Sequence, residues 1–180
     1  MDTTFKVVSS RVVIGDPSIG RNEVSSIYDA LNGKWQVHER DNGRFFIANH
    51  IDHPFDERDL RYSNVMCDLQ VTSGQIGIFD DLLYPEDENG VATDPSTFYG
   101  RCCAAGDFLG VIDGLGVVAR PVTGDGFYPV IGIFNETGNL TGIAIDFIEF
   151  FDEEFDEMEF EEESEDETDY SYPDDFDWDD

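Results

Sequence analysis

The sequence predicts a mostly β protein of the α+β class: an antiparallel β sandwich or barrel-like sheet over residues 1–147 with one or two short helices, then an acidic C-terminal tail over 148–180. Three observations carry this. Short runs of Val, Ile, Phe and Tyr recur through the first part of the chain, separated by Gly, Asn, Asp and Pro, which is the pattern of short strands and tight turns. Only two stretches carry the punctuation of a helix. The charge also changes regime near Phe147. The chain has 41 Asp and Glu against 10 Lys and Arg, a net charge of -31. Residues 1–147 hold 22 of the acids and all ten bases, for -12, whereas the last 33 residues hold 19 acids and no base, for -19.

The elements follow in order. Phe5-Lys6-Val7-Val8 and Arg11-Val12-Val13-Ile14 predict a buried opening strand that Gly15-Asp16-Pro17 closes. Val24, Ile27, Tyr28 and Leu31 recur at i, i+3, i+4 and i+7, which predicts an amphipathic helix capped by Asn22 and stopped by Asn32-Gly33. Residues 34–40 and 44–49 flank Asp41-Asn42-Gly43, where the Asn-Gly pair suits a tight hairpin. Val65, Cys67, Leu69 and Val71 alternate with Met66, Asp68 and Gln70, the period of a half-buried strand. Residues 75–79 form another strand before the acidic loop 80–89. Asp94 and Pro95 predict the cap and first position of a short helix over 95–105 that carries Cys102 and Cys103 and stops at Gly106. Strands are expected at 108–113, 116–119, 127–134 and 140–147, with a turn at 135–139. From Phe147, the spacing of Phe147, Phe151, Phe155 and Met158 would gather one apolar face on a helix. Repelling i,i+4 carboxylates without a base to offset them make that helix weak, and residues 161–180 read as disordered.

Composition excludes several function classes. A chain this acidic repels phosphates, so direct nucleic-acid binding and a polybasic membrane anchor are not expected. No run approaches the ~18 apolar residues of a membrane span. Met1-Asp2-Thr3-Thr4-Phe5-Lys6 has neither a positive region nor a long apolar stretch, and three cysteines, Cys67, Cys102 and Cys103, are an odd number. Together these predict reduced thiols and a cytoplasmic protein.

The motifs with chemical potential are weak ones. His50 and His53 form an H-x-x-H near Asp56 and Glu57, but zinc needs three or four convergent ligands and no C-x-x-C or H-E-x-x-H supplies them. Ser73 in Thr72-Ser73-Gly74-Gln75 is not a G-x-S-x-G elbow. The loop Glu86-Asp87-Glu88-Asn89-Gly90 has the composition of a cation site without the EF-hand spacing. Asp113-Gly114-Leu115-Gly116 and Gly124-Asp125-Gly126 precede no helix and read as turns, not phosphate cradles. No catalytic residue, metal or cofactor is expected.

Residues 71–80, Val-Thr-Ser-Gly-Gln-Ile-Gly-Ile-Phe-Asp, then Phe98-Tyr99-Gly100-Arg101-Cys102-Cys103, then residues 124–130, Gly-Asp-Gly-Phe-Tyr-Pro-Val, resemble a family of small uncharacterised proteins of bacteria and their phages. Its members often read V-D-S-G-Q-x-G-I-F-D, Y-x-x-C-C and S-G-x-G-D-G-x-Y-P-V. Val13-Ile14-Gly15-Asp16-Pro17 is similar to their first strand and turn. The resemblance covers most of residues 5–147 and implies a fold and a bacterial or phage origin, without an established activity. Thr72 replaces the family's Asp, Pro121-Val122-Thr123 replaces its Ser-Gly lead-in, and the tail lies outside the pattern.

The tail carries the leading functional expectation. Its charges fall at one per ~1.7 residues, or one per ~6 Å in an extended chain and one per ~2.6 Å in a helix. Duplex DNA presents one per ~1.7 Å of axis, so only a helical or compacted tail approaches that density. Aromatic residues laced among acids suit a groove lined with Arg and Lys, with carboxylates in place of phosphates and rings in place of bases. The expected partner-binding residues are Glu153, Glu154, Phe155, Asp156, Glu157, Glu161, Glu162, Glu163, Asp166, Glu167, Tyr170, Tyr172, Phe176 and Trp178. The chain therefore reads as a non-enzymatic, phage-type DNA mimic, an anti-restriction or other anti-defence inhibitor of a basic host protein that binds nucleic acid. The alternative is a small ligand-binding β module with a solubilising tail, its rim formed by Ser73, Gln75, Asp80, Asp125 and Tyr128. A homodimer is compatible with either.

Overall fold

Alternation along the strands decides the architecture. The chain divides into two units, Met1–Glu149 and Phe150–Asp180, and the computed structural model describes residues 3–24, 27–40, 43–60, 64–105 and 108–147, all in the first. Its strands are β1 (Thr3–Val7), β2 (Arg11–Gly15), β3 (Ile27–Asp29), β4 (Gly33–Arg40), β5 (Phe45–His50), β6 (Val65–Val71), β7 (Ile76–Asp80), β8 (Leu109–Ile112), β9 (Gly116–Ala119), β10 (Gly126–Phe134) and β11 (Leu140–Asp146), with one helix, α1 (Phe98–Ala104). They form two antiparallel sheets, ordered β1-β4-β5-β11-β10-β6 and β3-β2-β7-β9-β8. Every second residue of both sheets enters one shared core: Phe5 and Val7, Val12 and Ile14, Trp35 and Val37, Ile76 and Ile78, Tyr128 and Val130, Ile143 and Ile145. The result is a sandwich, as the turn-punctuated strands predict.

The opposite faces are not left to water. Val13, Phe79, Ile112 and Val118 point out of the five-stranded sheet and are covered by Phe98 and Cys102 of α1 and by Tyr84. Phe45, Ile47, Ile131 and Ala144 point out of the six-stranded sheet, where Phe55 and Leu60 pack on them. Central strands buried on both faces lose the polar half of their alternation, so β5, β7, β9 and β11 are buried at every position. The edge strand β6 keeps a solvent side, with Asp68 and Gln70 exposed.

Two expectations are corrected. The opening run is two strands in different sheets, not one. Ser10 reverses the chain at a φ of 61°, and its amide donates to the Asn32 side chain at 2.6 Å while the Val8 and Ser9 amides donate to the Asp80 carboxylate. The helix expected around Val24–Leu31 is absent: Val24 follows a turn, and Ile27–Asp29 forms β3 along β2, pairing Ile27 with Val13. A segment of eight residues is too short to hold a helix on its own, and β-branched Ile27 beside Tyr28 gains more by pairing with the open edge of β2. The hairpin stands, with Arg40 opposite Phe45 and Gly43 at a φ of 87°.

The second helix exists but starts later. Thr97, not Asp94, is its cap, accepting from the Gly100 amide at 3.1 Å, while Asp94 closes a turn by accepting from the Ser96 amide at 2.9 Å. Gly100 is dictated by space, because a Cβ there would lie 1.8 Å from the Asp94 carbonyl oxygen. Gly100→Ala is expected to cost at least about 2 kcal/mol, read as a lower urea midpoint at an unchanged slope. The last described residue, Phe147, stacks on Phe46 at 6.2 Å and meets Tyr128 edge-on at 5.6 Å. The rest of the helix expected from Phe147 lies outside the described residues, as do all fourteen tail residues expected to bind a partner. Among the described residues no helix is long and apolar enough to cross a membrane.

Candidate functional site

The motifs singled out in sequence converge at the N-terminal end of β7. Asp16, at the turn after β2, is fully buried. One of its carboxylate oxygens accepts from the Thr72 and Ser73 amides at 2.7 and 2.8 Å. The other accepts from the Ser73 hydroxyl at 2.6 Å and from the Ser18 amide and hydroxyl at 2.8 and 2.7 Å. The next residue, Gly74, holds a φ of 67° and donates its amide to Asp125 of the Gly124-Asp125-Gly126 turn at 2.7 Å. Gln75 is buried and reaches α1, donating to the Cys102 carbonyl at 3.3 Å and accepting from the Cys103 thiol at 3.7 Å. The Tyr99 hydroxyl completes the group beside Ser73 and Cys103.

The electrostatics of this group favour holding over reacting. Burial by itself would push the Asp16 carboxyl up, but the hydrogen bonds from Ser73, Ser18 and the Thr72 and Ser18 amides together outweigh it and keep it below the usual carboxylate range. Such a carboxylate is a poor acceptor for the Ser73 proton. Burial, helped by the neighbouring Cys103, pushes the Cys102 thiol up to about 12, so it stays protonated at neutral pH. Burial also raises the Tyr99 hydroxyl, against the lowering effect of Ser73. The loop ends are fastened together by a carboxylate that accepts six hydrogen bonds, the sixth from the Thr72 hydroxyl at 3.3 Å.

The five residues placed on a ligand rim separate in the fold. Ser73, Gln75 and Asp125 belong to this group. Tyr128 borders it from the core, where its hydroxyl donates to the Gly124 carbonyl at 2.7 Å and meets the Thr123 hydroxyl at 2.7 Å. Asp80 lies at the far end of β7, about 16 Å along the strand, where it accepts from Val8, Ser9 and Leu82 amides. Asn89 of the acidic loop is buried and donates to the Pro17 and Ile19 carbonyls, so it fastens that loop to the turn after Asp16. His50 and His53 stack edge-on at 5.8 Å, with the His50 ring against the Asn32 carbonyl. Among the described residues no group of three or more His, Cys, Asp or Glu is placed to hold a metal ion.

The body also uses its own bases. Arg44 forks onto the buried Asp146 at 3.0 and 2.8 Å, and Arg21 lies between Asp81 and Glu86. Arg11 pairs with Asp81, Arg58 with Asp56, and Arg101 with Asp113. Among the described residues, five of the nine Lys and Arg are therefore matched by carboxylates of the same chain. The two lysines, Lys6 and Lys34, sit opposite each other on β1 and β4.

Sequence reasoning did not single out Asp16, Asp146 or Asn89 as organising residues. The available signal was an Asp directly after an apolar strand and before Pro, since a carboxylate at such a turn has amides within reach. Comparison of the chain with protein-family models, curated proteins and solved structures returned no match.

Proposed function

We propose that this protein is a non-enzymatic, phage-type interaction protein that binds a basic, nucleic-acid-processing host protein and blocks its nucleic-acid site by charge mimicry. The distribution of charge carries the reading. Residues 148–180 present 19 acids and no base, while five of the nine described bases of the body are already committed to its own carboxylates. A field of one sign speeds encounter with a basic surface and repels nucleic acid from the same place. The aromatic rings at Tyr170, Tyr172, Phe176 and Trp178 add the apolar anchors that a purely solubilising tail does not need. The hydrogen-bonded state of Asp16 and the protonated Cys102 favour a fastening role for the recognisable motifs, which leaves binding to the charged surface. An anti-restriction or other anti-defence inhibitor is the form that the resemblance to phage and bacterial proteins suggests.

The test compares the tagged full chain with a chain ending at Phe147 in bacterial lysate at low salt. The full chain should capture a nucleic-acid-binding protein that added duplex DNA or RNA releases, and the shortened chain should capture little of it. Equal capture by both, or capture that nucleic acid does not reverse, contradicts the reading.

A further inference from the structure

The two sheets leave a pocket of about 270 Å³ where the turn after β2 faces the edge strand β6 and the start of β10. Ile19, Val24 and Leu69 supply its apolar lining, and Phe127, which also lines it, is 61% exposed. Phe127 pairs with Gln70 across β10 and β6, and Asp68 precedes Gln70 by two residues, so all three project from the same face of the sheet. Glu23, Asp68 and the buried Asp16 also line it. No Lys, Arg or His lines the pocket, and among the described residues neither Glu23 nor Asp68 takes part in an ion pair.

We propose that this pocket receives an arginine side chain of a protein partner, its stem along Ile19 and Val24 and its guanidinium at the Glu23 and Asp68 carboxylates against the Phe127 ring. Size and charge select this occupant. The volume falls below the ~300 to 1,000 Å³ of sites for whole small-molecule ligands, and suits one long side chain. An apolar stem with a cationic end matches a lining of apolar and acidic side chains. A planar guanidinium can both fork onto a carboxylate and lie on a ring, which a lysine ammonium cannot. An exposed Phe at the mouth of an acidic pocket is a cost in the free protein that such an occupant removes.

The proposal rests on the reading that the partner is basic, and adds a docking point on the body separate from the tail. The experiment is a titration of the ¹⁵N-labelled full chain with the end-capped peptide Ac-Gly-Arg-Gly-amide, with Ac-Gly-Lys-Gly-amide and Ac-Gly-Gln-Gly-amide as controls. The arginine peptide should move the amide signals of Gly15, Gln70 and Phe127, the lysine peptide should do so less, and the glutamine peptide should not. The double variant Asp68→Asn with Phe127→Ala, both at exposed positions, should weaken those shifts by about tenfold and leave shifts within residues 148–180 unchanged. If the tail responds and the pocket does not, or the pocket responds equally in the variant, the pocket proposal is overturned while the basic-partner reading stands. If neither responds, both fall.

Discussion

Replacing Asp16 by alanine is expected to lower the unfolding free energy by about 2 to 3 kcal/mol, because three backbone amides at a partly buried site lose their acceptor together. Thr72, Ser73 and Ser18 all lose their acceptor at once, whereas the Ser18 and Ser73 hydroxyls can rotate to other partners. Two loops then lose the group that joins them, and Gly74 with its bond to Asp125 loses its anchor on the same loop. Asp16→Asn is a milder change that still turns one acceptor into a donor facing amides. Acid titration checks the charge directly. The folded carboxyl lies below its ordinary value of 3.8, so the stability it contributes is fully present above about pH 4 and disappears as pH falls through the folded value. Below pH 4 the wild-type protein should therefore lose stability more steeply than Asp16→Ala. Parallel curves for the two would show that the charge on Asp16 adds nothing.

Arg44→Ala is expected to cost about 2 to 3 kcal/mol, since it leaves Asp146 buried without its fork-shaped partner. Asp146 is completely inaccessible while the Arg44 side chain is 35% exposed, so water softens the loss compared with a fully buried pair. The guanidinium also lies 4.8 Å over the Phe45 ring, a contact that goes with it. Replacing both members, Arg44→Met with Asp146→Leu, should restore most of the stability, because two apolar groups of similar size demand no partner. Urea midpoints of the two single variants and the double variant measure this. If the double variant is as unstable as Arg44→Ala alone, packing and not the lost fork between Arg44 and Asp146 explains the cost.

The elements that could be read from the chain are those governed by neighbours in sequence. β6 announces itself by alternation because one of its faces meets water, and the hairpin of β4 and β5 by its Asn-Gly turn. The region of Val24 to Leu31 misleads because the spacing of four apolar residues fits a helix and also fits a turn followed by a short edge strand, and the choice is made by β2. The organising polar contacts are set by distant parts of the chain: Asp16 meets Thr72 and Ser73 across 56 and 57 residues, and Arg44 meets Asp146 across 102. Nothing in the local pattern around Asp146 distinguishes it from an exposed acid. The separation of Asp80 from Ser73 has the same origin, since a strand carries the two ends of one motif to opposite ends of the sheet.

The central claim is that the charge of residues 148–180 drives binding to a basic nucleic-acid site. The most direct measurement is the affinity of a captured partner for the full chain and for the chain ending at Phe147, from about 50 to about 300 mM salt. Charge mimicry predicts that the full chain binds far more tightly at low salt and weakens steeply as salt rises, in parallel with the partner's own nucleic-acid binding, while the shortened chain binds weakly with a shallow slope. Equal affinities and equal slopes for the two chains would contradict it.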